Sequence, residues 1–137
     1  MAQAYVLPYR SLVAGDMARP YLLMEVTGIN GTMGPVMGLV DSGADITAFP
    51  IGYAGLMGYS AATLTQGTVV GAGGSTASYV ATVPCSMAIL GLPTIVIEIQ
   101  PAFVRGLESV LWGRKDFMAR CDVTVMESQQ QFSFTPH

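Results

Sequence analysis

Nine residues, LVDSGADIT (residues 39–47), decide the fold that we predict for this chain. An uncharged apolar run, residues 36–40, reads as a β-strand and delivers Asp41 at its end. The Asp41 carboxylate should therefore emerge partly desolvated, and Gly43 permits a bend or a close approach that a Cβ would block. Asp-Ser-Gly alone is also an ordinary turn, in which the aspartate caps nearby amides. The rest of the chain decides between the two interpretations.

Segments on both sides of this loop predict further strands. Glycine and proline recur about every 8 to 12 residues, a spacing typical of short strands joined by turns. Residues 21–26 read as the preceding strand, and Asn30-Gly31 is a strong signal for a hairpin between it and residues 36–40. Residues 50–59 lack alternation and carry three glycines, which indicates a loop or one irregular helical turn.

A second predicted hairpin has a tip that is poor in side chains. Residues 68–70 and 77–83 are its arms, and the glycine-rich residues 71–74 are its tip. The remaining predicted elements are strands at residues 87–90, 94–99 and 110–112, a two-turn helix at 114–120, and a C-terminal hairpin of residues 122–125 and 131–134. The architecture is therefore mostly β, with one short helix late in the chain.

The composition indicates a single domain that hides apolar surface against a partner. At 137 residues the chain has the size of one domain. Its charged fraction is 11% and its apolar fraction 51%, whereas an average soluble domain is about 25% charged. We therefore expect the protein to associate with its own copy. The net charge of −3 and the scattered basic residues argue against nucleic-acid binding.

Cysteine and histidine usage argues against other kinds of site. Cys85 and Cys121 are expected to be buried free thiols rather than a disulfide. Neither cysteine has the local spacing of a zinc site, and the one histidine is the terminal His137. We therefore expect no metal, no cofactor and no Cys–His nucleophile.

The sequence predicts neither a signal peptide nor a membrane span. The first ten residues lack a basic start followed by an apolar run, so a cytoplasmic location is expected. Residues 46–97 carry no charge, but prolines, glycines and hydroxyl residues interrupt them before about 20 consecutive apolar residues accumulate. Uncharged strands around a core explain this stretch better than a membrane helix does.

Three motifs together resemble one protein family. The LVDSGADIT segment resembles the active-site loop of the retropepsin-like aspartic proteases, and VLWGR (residues 110–114) resembles that family's segment of two apolar residues followed by Gly-Arg. The glycine-rich hairpin lies between them, where the family places its flap. The similarity continues through residues 116–117 and 121–125. The chain resembles the small stand-alone bacterial members, over roughly residues 18–137.

The resemblance implies a fold and a domain organisation. The expected fold is an all-β, single-domain closed barrel or sandwich with a flap hairpin and one short C-terminal helix, active as a two-fold homodimer. Residues 1–17 would then form an N-terminal extension, and residues 18–137 the protease domain. The implied activity is that of an aspartic endopeptidase, a hydrolase of peptide bonds.

The resemblance also assigns roles to the residues of the site. Asp41 matches the catalytic aspartate, and Ser42 the hydroxyl residue that joins the two active-site loops of the dimer. Gly43 and Ala44 match small residues that let the substrate backbone approach. The remaining matches are Asp45 with Arg114, an ion pair between the loop and the late helix, Gly113 of the Gly-Arg motif, and the flap residues Val70, Gly71, Ala72, Gly73 and Gly74.

The chemistry needs two carboxylates at one site. Because two like charges in contact do not both ionise readily, the pair shares one proton, so one carboxylate can accept a proton while the other donates one. The chain contains a single Asp-Ser-Gly, and its other aspartates lie in no second such loop. We therefore predict a homodimer with its two-fold axis beside Asp41. C-terminal strands bearing Val123, Val125, Phe132 and Phe134 are expected to contribute to it.

The expected partner besides the second copy is an extended peptide or protein substrate. It would pair as an added strand between the flap and the floor of the site. The expected pocket linings are Ile46, Phe49, Val69 and Leu111. Two other interpretations stay open: a catalytically silent module of the same fold that binds peptides or proteins, and a structural or membrane-associated β domain whose uncharged middle contacts lipid or protein.

Overall fold

The computed structural model describes residues 3–71, 74–92 and 94–137. Most of the described residues lie in strands. The strands are β1 Tyr5–Pro8, β2 Tyr21–Thr27, β3 Met33–Val40, β4 Ala48–Pro50, β5 Leu64–Gly71, β6 Gly74–Ala81, β7 Cys85–Ile89, β8 Val96–Ile99, β9 Ala102–Val104, β10 Val110–Trp112, β11 Cys121–Met126 and β12 Gln131–Pro136. The α-helices are α1 Tyr53–Leu56 and α2 Phe117–Arg120, and short 3₁₀ turns cover Ala61–Thr63 and Glu127–Gln129.

The strands form two sheets. The larger has nine strands in the order β5-β6-β9-β4-β10-β3-β2-β7-β8, and the smaller has three in the order β1-β12-β11. The mostly β architecture is therefore confirmed, but the predicted closed barrel is not. In the described part of the chain the larger sheet ends at β5 and β8, which do not pair with each other, so the sheet stays open.

The hairpin of β2 and β3 carries the chain to the Asp-Ser-Gly loop. Its register runs from Tyr21 opposite Leu39 to Thr27 opposite Met33. The turn is the predicted Asn30-Gly31, where Gly31 has a φ of +83° and the Asn30 side chain accepts a hydrogen bond from the amide of Thr32. This left-handed backbone suits glycine, so the hairpin prediction is confirmed.

Strand β10 lies parallel to β3 and ends beside it. Trp112 is opposite Val40 in this pairing, so the two sequence motifs leave the sheet side by side. The Trp112 indole is buried, and its Nε1 donates a 2.9 Å hydrogen bond to the carbonyl of Leu22. A Cβ at Gly38 would overlap the Trp112 ring, so this glycine makes room for the indole. The predicted bounds of this strand, residues 110–112, are confirmed.

Aromatic rings fill the core beneath the site. Phe49 packs against Phe103 with ring centroids 5.8 Å apart and meets Trp112 edge-on at 6.0 Å. Phe49 is fully buried in this cluster and does not line the pocket. Its expected role as a pocket residue was therefore wrong. The alternation of β4 places Phe49 inward, while the small residue before it, Ala48, faces the cleft.

The late helix is shorter than predicted. Helix α2 covers Phe117–Arg120, which is one turn, whereas residues 114–120 were expected to make two turns. The difference has a local cause, because the amides of Arg114 and Lys115 donate hydrogen bonds to Ala44 and Asp45. Those amides are therefore fixed by the Asp-Ser-Gly loop rather than by a helix. Residues 50–59 were expected to form a loop or one irregular helical turn, and α1 is a helical turn within them.

The small sheet joins both ends of the chain. Strand β1 pairs antiparallel with β12, and the rings of Tyr5 and Phe134 stack with centroids 5.3 Å apart. Strands β11 and β12 form the C-terminal hairpin that was predicted. The boundary between an extension at residues 1–17 and a domain from residue 18 stays a prediction. No helix among the described residues has the length and apolar character that a membrane crossing requires.

Both cysteines are free and buried, as expected. Burial raises the pKa of the Cys85 thiol and raises that of Cys121 to about 11. Both thiols are therefore protonated near neutral pH, and a thiolate is the reactive form of cysteine. Their place in the core gives them a packing role.

The contact between Gly38 and Trp112 predicts a stability difference between two glycines of β3. Gly38→Ala should lower the free energy of unfolding by about 1–3 kcal/mol, because the new methyl group overfills a packed site. Gly34→Ala is the matched control, since a Cβ there meets nothing within 4 Å. Urea denaturation followed by tryptophan fluorescence measures both variants. Equal midpoints for the two variants would contradict the packing that we describe.

Candidate active site

The Asp41 carboxylate is held by the backbone of its own loop. Its Oδ1 accepts a 2.8 Å hydrogen bond from the amide of Gly43, and the amide of Ala44 donates to the Asp41 carbonyl at 3.2 Å. The Asp41 amide in turn donates to the carbonyl of Trp112 at 3.2 Å. Asp41 is half-buried, while Ser42 and Gly43 are exposed. The loop therefore offers a positioned acid group at an open surface.

The segment after β10 is hydrogen-bonded to this loop. The amides of Arg114 and Lys115 donate 2.9 Å hydrogen bonds to the carbonyls of Ala44 and Asp45. A Cβ at Gly113 would overlap the backbone of residues 46 and 47, so the close approach of the two segments requires glycine at this position. The two predicted motifs are thus brought into direct contact.

A buried threonine and Asp116 complete the connection. Thr47 is fully buried, and its amide donates a 2.9 Å hydrogen bond to Oδ2 of Asp116. The Thr47 hydroxyl accepts a 3.3 Å hydrogen bond from the amide of Gly113. Asp116 is also the N-cap residue of α2, but its side chain makes no capping bond there. Because the donor to Asp116 is a backbone amide, which every residue except proline has, no local sequence signal identifies this role.

The ion pair between Asp45 and Arg114 is present but exposed. Their charged atoms are 3.8 Å apart, and the side chains of Arg114 and Asp45 are 64% and 82% exposed. Pairs of this kind contribute about 0–1 kcal/mol, because water screens them and their side chains lose entropy. The connection between the loop and the segment after β10 therefore depends mainly on the backbone bonds and on Asp116.

A cleft of about 890 Å³ opens above Asp41. Its walls come from the Asp-Ser-Gly loop, the β5–β6 hairpin and the segment that follows β9. Ile46 and Leu111 line it as expected, and the small residues Ala48 and Ala102 also line it. The cleft is therefore apolar near Asp41 and wide enough for an extended chain with its side chains.

The predicted flap residues belong to the β5–β6 hairpin. Val70 and Gly74 line the cleft, and the Val70 side chain is 80% exposed. Gly71 pairs with Gly74 at the end of the hairpin. The other two tip residues, Ala72 and Gly73, lie outside the described residues, as does the side chain of Val69. The hairpin thus borders the same cleft as the Asp-Ser-Gly loop.

The cleft carries charge of both signs. The charged residues that line it are Asp41, Asp45, Arg105 and Lys115. Of these, Asp45 has an ion-pair partner in Arg114. No group of three or more His, Cys, Asp or Glu side chains with metal-binding geometry occurs in the described ranges.

The bond between Thr47 and Asp116 predicts which carboxylate matters for stability. Asp116→Ala should lower the free energy of unfolding by about 1–3 kcal/mol, because it leaves a buried amide without a partner. Asp45→Ala should change it by less than about 1 kcal/mol, because it removes an exposed pair. Asp116→Asn keeps an oxygen acceptor and should recover part of the loss. Denaturant unfolding of the three variants measures these free energies. A loss in Asp45→Ala as large as the loss in Asp116→Ala would contradict the prediction.

The solved structures that resemble this chain include two proteases. The retropepsin-like aspartic protease from Rickettsia conorii matches with a TM-score of 0.63 at 16% identity, over 96% of this chain and 98% of that one. EIAV protease complexed with the inhibitor HBY-793 matches with a TM-score of 0.54 at 20% identity, over 77% of this chain and 89% of that one. At the level of sequence, no protein-family model and no curated protein matches.

These similarities concern the path of the chain, since the identities are 16% and 20%. They agree with the resemblance of the three sequence motifs, which the structure places around one cleft. The match to the Rickettsia conorii protein extends over nearly the whole length of both chains. This chain therefore has the fold of the retropepsin-like aspartic proteases.

Proposed function

We propose that this protein is an aspartic endopeptidase that cuts extended peptides at a site shared by two copies of the chain. The observation that carries the proposal is Asp41 itself. Its carboxylate is fixed by the Gly43 amide at the end of an apolar strand and lines a cleft of about 890 Å³. A positioned carboxylate beside a cleft of this size suits general acid–base hydrolysis of a bound peptide.

The proposed reaction uses two Asp41 carboxylates that share one proton. The ionised carboxylate accepts a proton from a water molecule, whose oxygen attacks the scissile carbonyl carbon. The protonated carboxylate donates its proton to the carbonyl oxygen, which gives a neutral tetrahedral diol. As the diol collapses and the C–N bond breaks, the carboxylate that took the proton from water donates it to the leaving nitrogen. The other carboxylate accepts a proton from a diol hydroxyl, which restores the starting state. The chain's own backbone supplies the fixed geometry that this exchange needs.

The second carboxylate has to come from another copy. Within the chain, Asp45 is next to Arg114, Asp116 is bound to Thr47, and Asp122 is next to His137 at 3.4 Å. Asp16 lies in the loop before β2, where its carbonyl accepts a hydrogen bond from Ser11. None of these residues shares the cleft with Asp41 except Asp45, which already has a cationic partner. The exposed Ser42 and Gly43 leave the face of the loop open to a second loop.

The small sheet is the proposed second contact between the copies. Phe132 and Phe134 are buried within their own chain, so they are not available to a partner as the sequence had suggested. Val125 on β11 is 53% exposed, and β11 is an end strand of its sheet. An exposed edge strand can pair with the same strand of a second copy across a two-fold axis. We therefore assign β11 rather than β12 to the proposed dimer interface.

The proposed substrate is an extended peptide that lies between the β5–β6 hairpin and the Asp-Ser-Gly loop. A peptide can pair with exposed backbone as an added strand, and alternate side chains then point into pockets. The apolar cluster of Ala48, Ala102 and Val104 offers such a pocket, with Ile46 and Leu111 packed against it. The hairpin would act as the flap.

A catalytically silent peptide-binding module is the second candidate. Val70 is the large apolar residue available near the described end of the hairpin, and it is 80% exposed in the single chain. The same cleft would then hold a peptide without cutting it. The two candidates differ in one observable, the release of peptide fragments.

Replacing Asp41 separates the two candidates. Asp41→Asn should lower the cleavage rate of an unfolded protein about 10²–10⁴-fold, because the amide side chain neither accepts nor donates the required proton. Asp16→Asn, far from the cleft, is the control and should cleave as the original chain does. Mass spectrometry of fragments, at several acidities between about pH 3.5 and 7, measures the rate. Equal fragment release by the Asp41 variant would contradict the proposal, and no release by any form would favour the binding module.

The proposed dimer interface predicts a difference between two equally exposed valines. Val125→Asp on β11 should weaken the dimer at least about tenfold, because it puts like charges near the two-fold axis. Val96→Asp on β8 is the matched control, since the exposed fractions of the two side chains are 53% and 52%. Analytical ultracentrifugation over a range of concentrations gives the dissociation constants. A monomer at all concentrations, or an equal effect of both substitutions, would contradict the interface.

A further inference from the structure

One cationic residue of the cleft has no acidic partner and is not used by the proposed reaction. Arg105 lines the cleft and is exposed, and in the described part of the chain no carboxylate lies within 4 Å of its guanidinium. Glu108, three residues later, is exposed and does not line the cleft. An unpaired guanidinium beside apolar walls is available to a ligand.

The position of Arg105 is fixed by its backbone. It follows directly after β9, whose residues are buried and pair with β6 on one side and β4 on the other. Its carbonyl accepts a 3.4 Å hydrogen bond from the hydroxyl of Thr76, which lies on the β5–β6 hairpin. After it, Gly106 turns the chain with a φ of +81°. Arg105 therefore projects from a rigid strand end rather than from a free loop.

The other cation of the cleft is in a different electrostatic setting. The amide of Lys115 donates to the Asp45 carbonyl, so Lys115 lies next to a residue with a negative side chain. The carbonyl of Arg105, in contrast, is bonded to Thr76 of the β5–β6 hairpin, and Arg105 lines the cleft. Neither cation forms an ion pair within 4 Å among the described residues, but the backbone of Arg105 is the one that is bonded to the β5–β6 hairpin.

A carboxylate is the group that such an arginine recognises best. The planar guanidinium can donate two parallel hydrogen bonds to one carboxylate, and such charge-assisted bonds are about twice as strong as neutral ones. A peptide that fills the cleft would exclude water from this contact and strengthen it. Glutamate or aspartate in the substrate supplies that group.

We propose that Arg105 is a specificity-determining residue that selects peptides with an acidic side chain on the β5–β6 side of the cleft. The inference rests on the proposed function and names its substrate class. In a two-fold dimer Arg105 occurs twice, once on each side of the shared site. The preference for an acidic side chain should therefore occur at two positions, equally far before and after the scissile bond.

The experiment uses a set of peptides that differ at one position. Each peptide carries glutamate in place of glutamine at one site of an otherwise constant apolar sequence, so the set scans the full length of the cleft. Binding is measured by fluorescence anisotropy on Asp41→Asn protein, where peptides are not consumed, and cleavage is measured as kcat/KM on the original protein. Glutamate at the two symmetric positions should improve both quantities about tenfold over glutamine.

Variants of Arg105 connect the preference to this side chain. Arg105→Gln should remove the advantage of glutamate, and Arg105→Glu should reverse it in favour of lysine. Arg19→Gln is the matched control, because this arginine is exposed and does not line the cleft. In the original protein, rising salt concentration should reduce the preference for glutamate over glutamine, because salt screens the exposed charge of Arg105.

The outcomes separate this inference from the proposed function. Binding that favours glutamate through Arg105, without any cleavage, would support the inference and reject the protease. Cleavage with no preference between glutamate and glutamine would support the protease and overturn the inference. A preference that persists in Arg105→Gln would also overturn it, as would failure of folded Asp41→Asn protein to bind any peptide of the set.

Discussion

The parallel pairing of β3 with β10 is the constraint on which the rest of the site depends. It brings together two segments that are far apart in the sequence, and the C-terminal ends of the two strands lie side by side. The Asp41 amide then reaches the Trp112 carbonyl, and the next amides after Gly113 reach the carbonyls of the Asp-Ser-Gly loop. Parallel strands need a long crossover connection. Here that connection includes the β5–β6 hairpin and the segment after β9, which line the cleft.

Small residues make this arrangement possible at two points. Gly38 leaves room for the Trp112 indole, and Gly113 lets its segment pass directly against the backbone of residues 46 and 47. Trp112 and Val40 are therefore buried, while Asp41, the next residue after Val40, is only half-buried. The sequence pattern of an apolar strand, an acid and a glycine thus has a direct physical meaning. The strand fixes the position of the acid, and the chemistry that we propose depends on that acid.

Elements with a local signal could be predicted, and elements defined by distant contacts could not. The hairpin at Asn30-Gly31 and the strand at residues 110–112 follow from turn chemistry and from apolar runs. Strands β4 and β9 have three residues each and exist because they pair with one another in the middle of the sheet. The shortened late helix has the same cause, because the Asp-Ser-Gly loop captures the amides of Arg114 and Lys115.

The candidate site divides in the same way. Asp41 and its neighbours could be named from their motif, whereas the role of Asp116 depends on a partner 69 residues away, the amide of Thr47. Phe49 was misplaced because a strand of three residues gives too little alternation to show which face is inward. The closed barrel was predicted wrongly for a similar reason. Closure would require β5 and β8, the two end strands of the sheet, to pair with each other, and no single segment encodes that pairing.

The central claim concerns two acid groups that meet from two molecules. A crystal structure of the protein with a non-hydrolysable peptide bound tests it most directly, through the distance between the two Asp41 carboxylates. We expect their nearest oxygens to lie about 3 Å apart on a two-fold axis, close enough to share a proton. Carboxylates separated by more than about 10 Å, or facing solvent on opposite sides of the assembly, would contradict the account, because no proton could then pass between them.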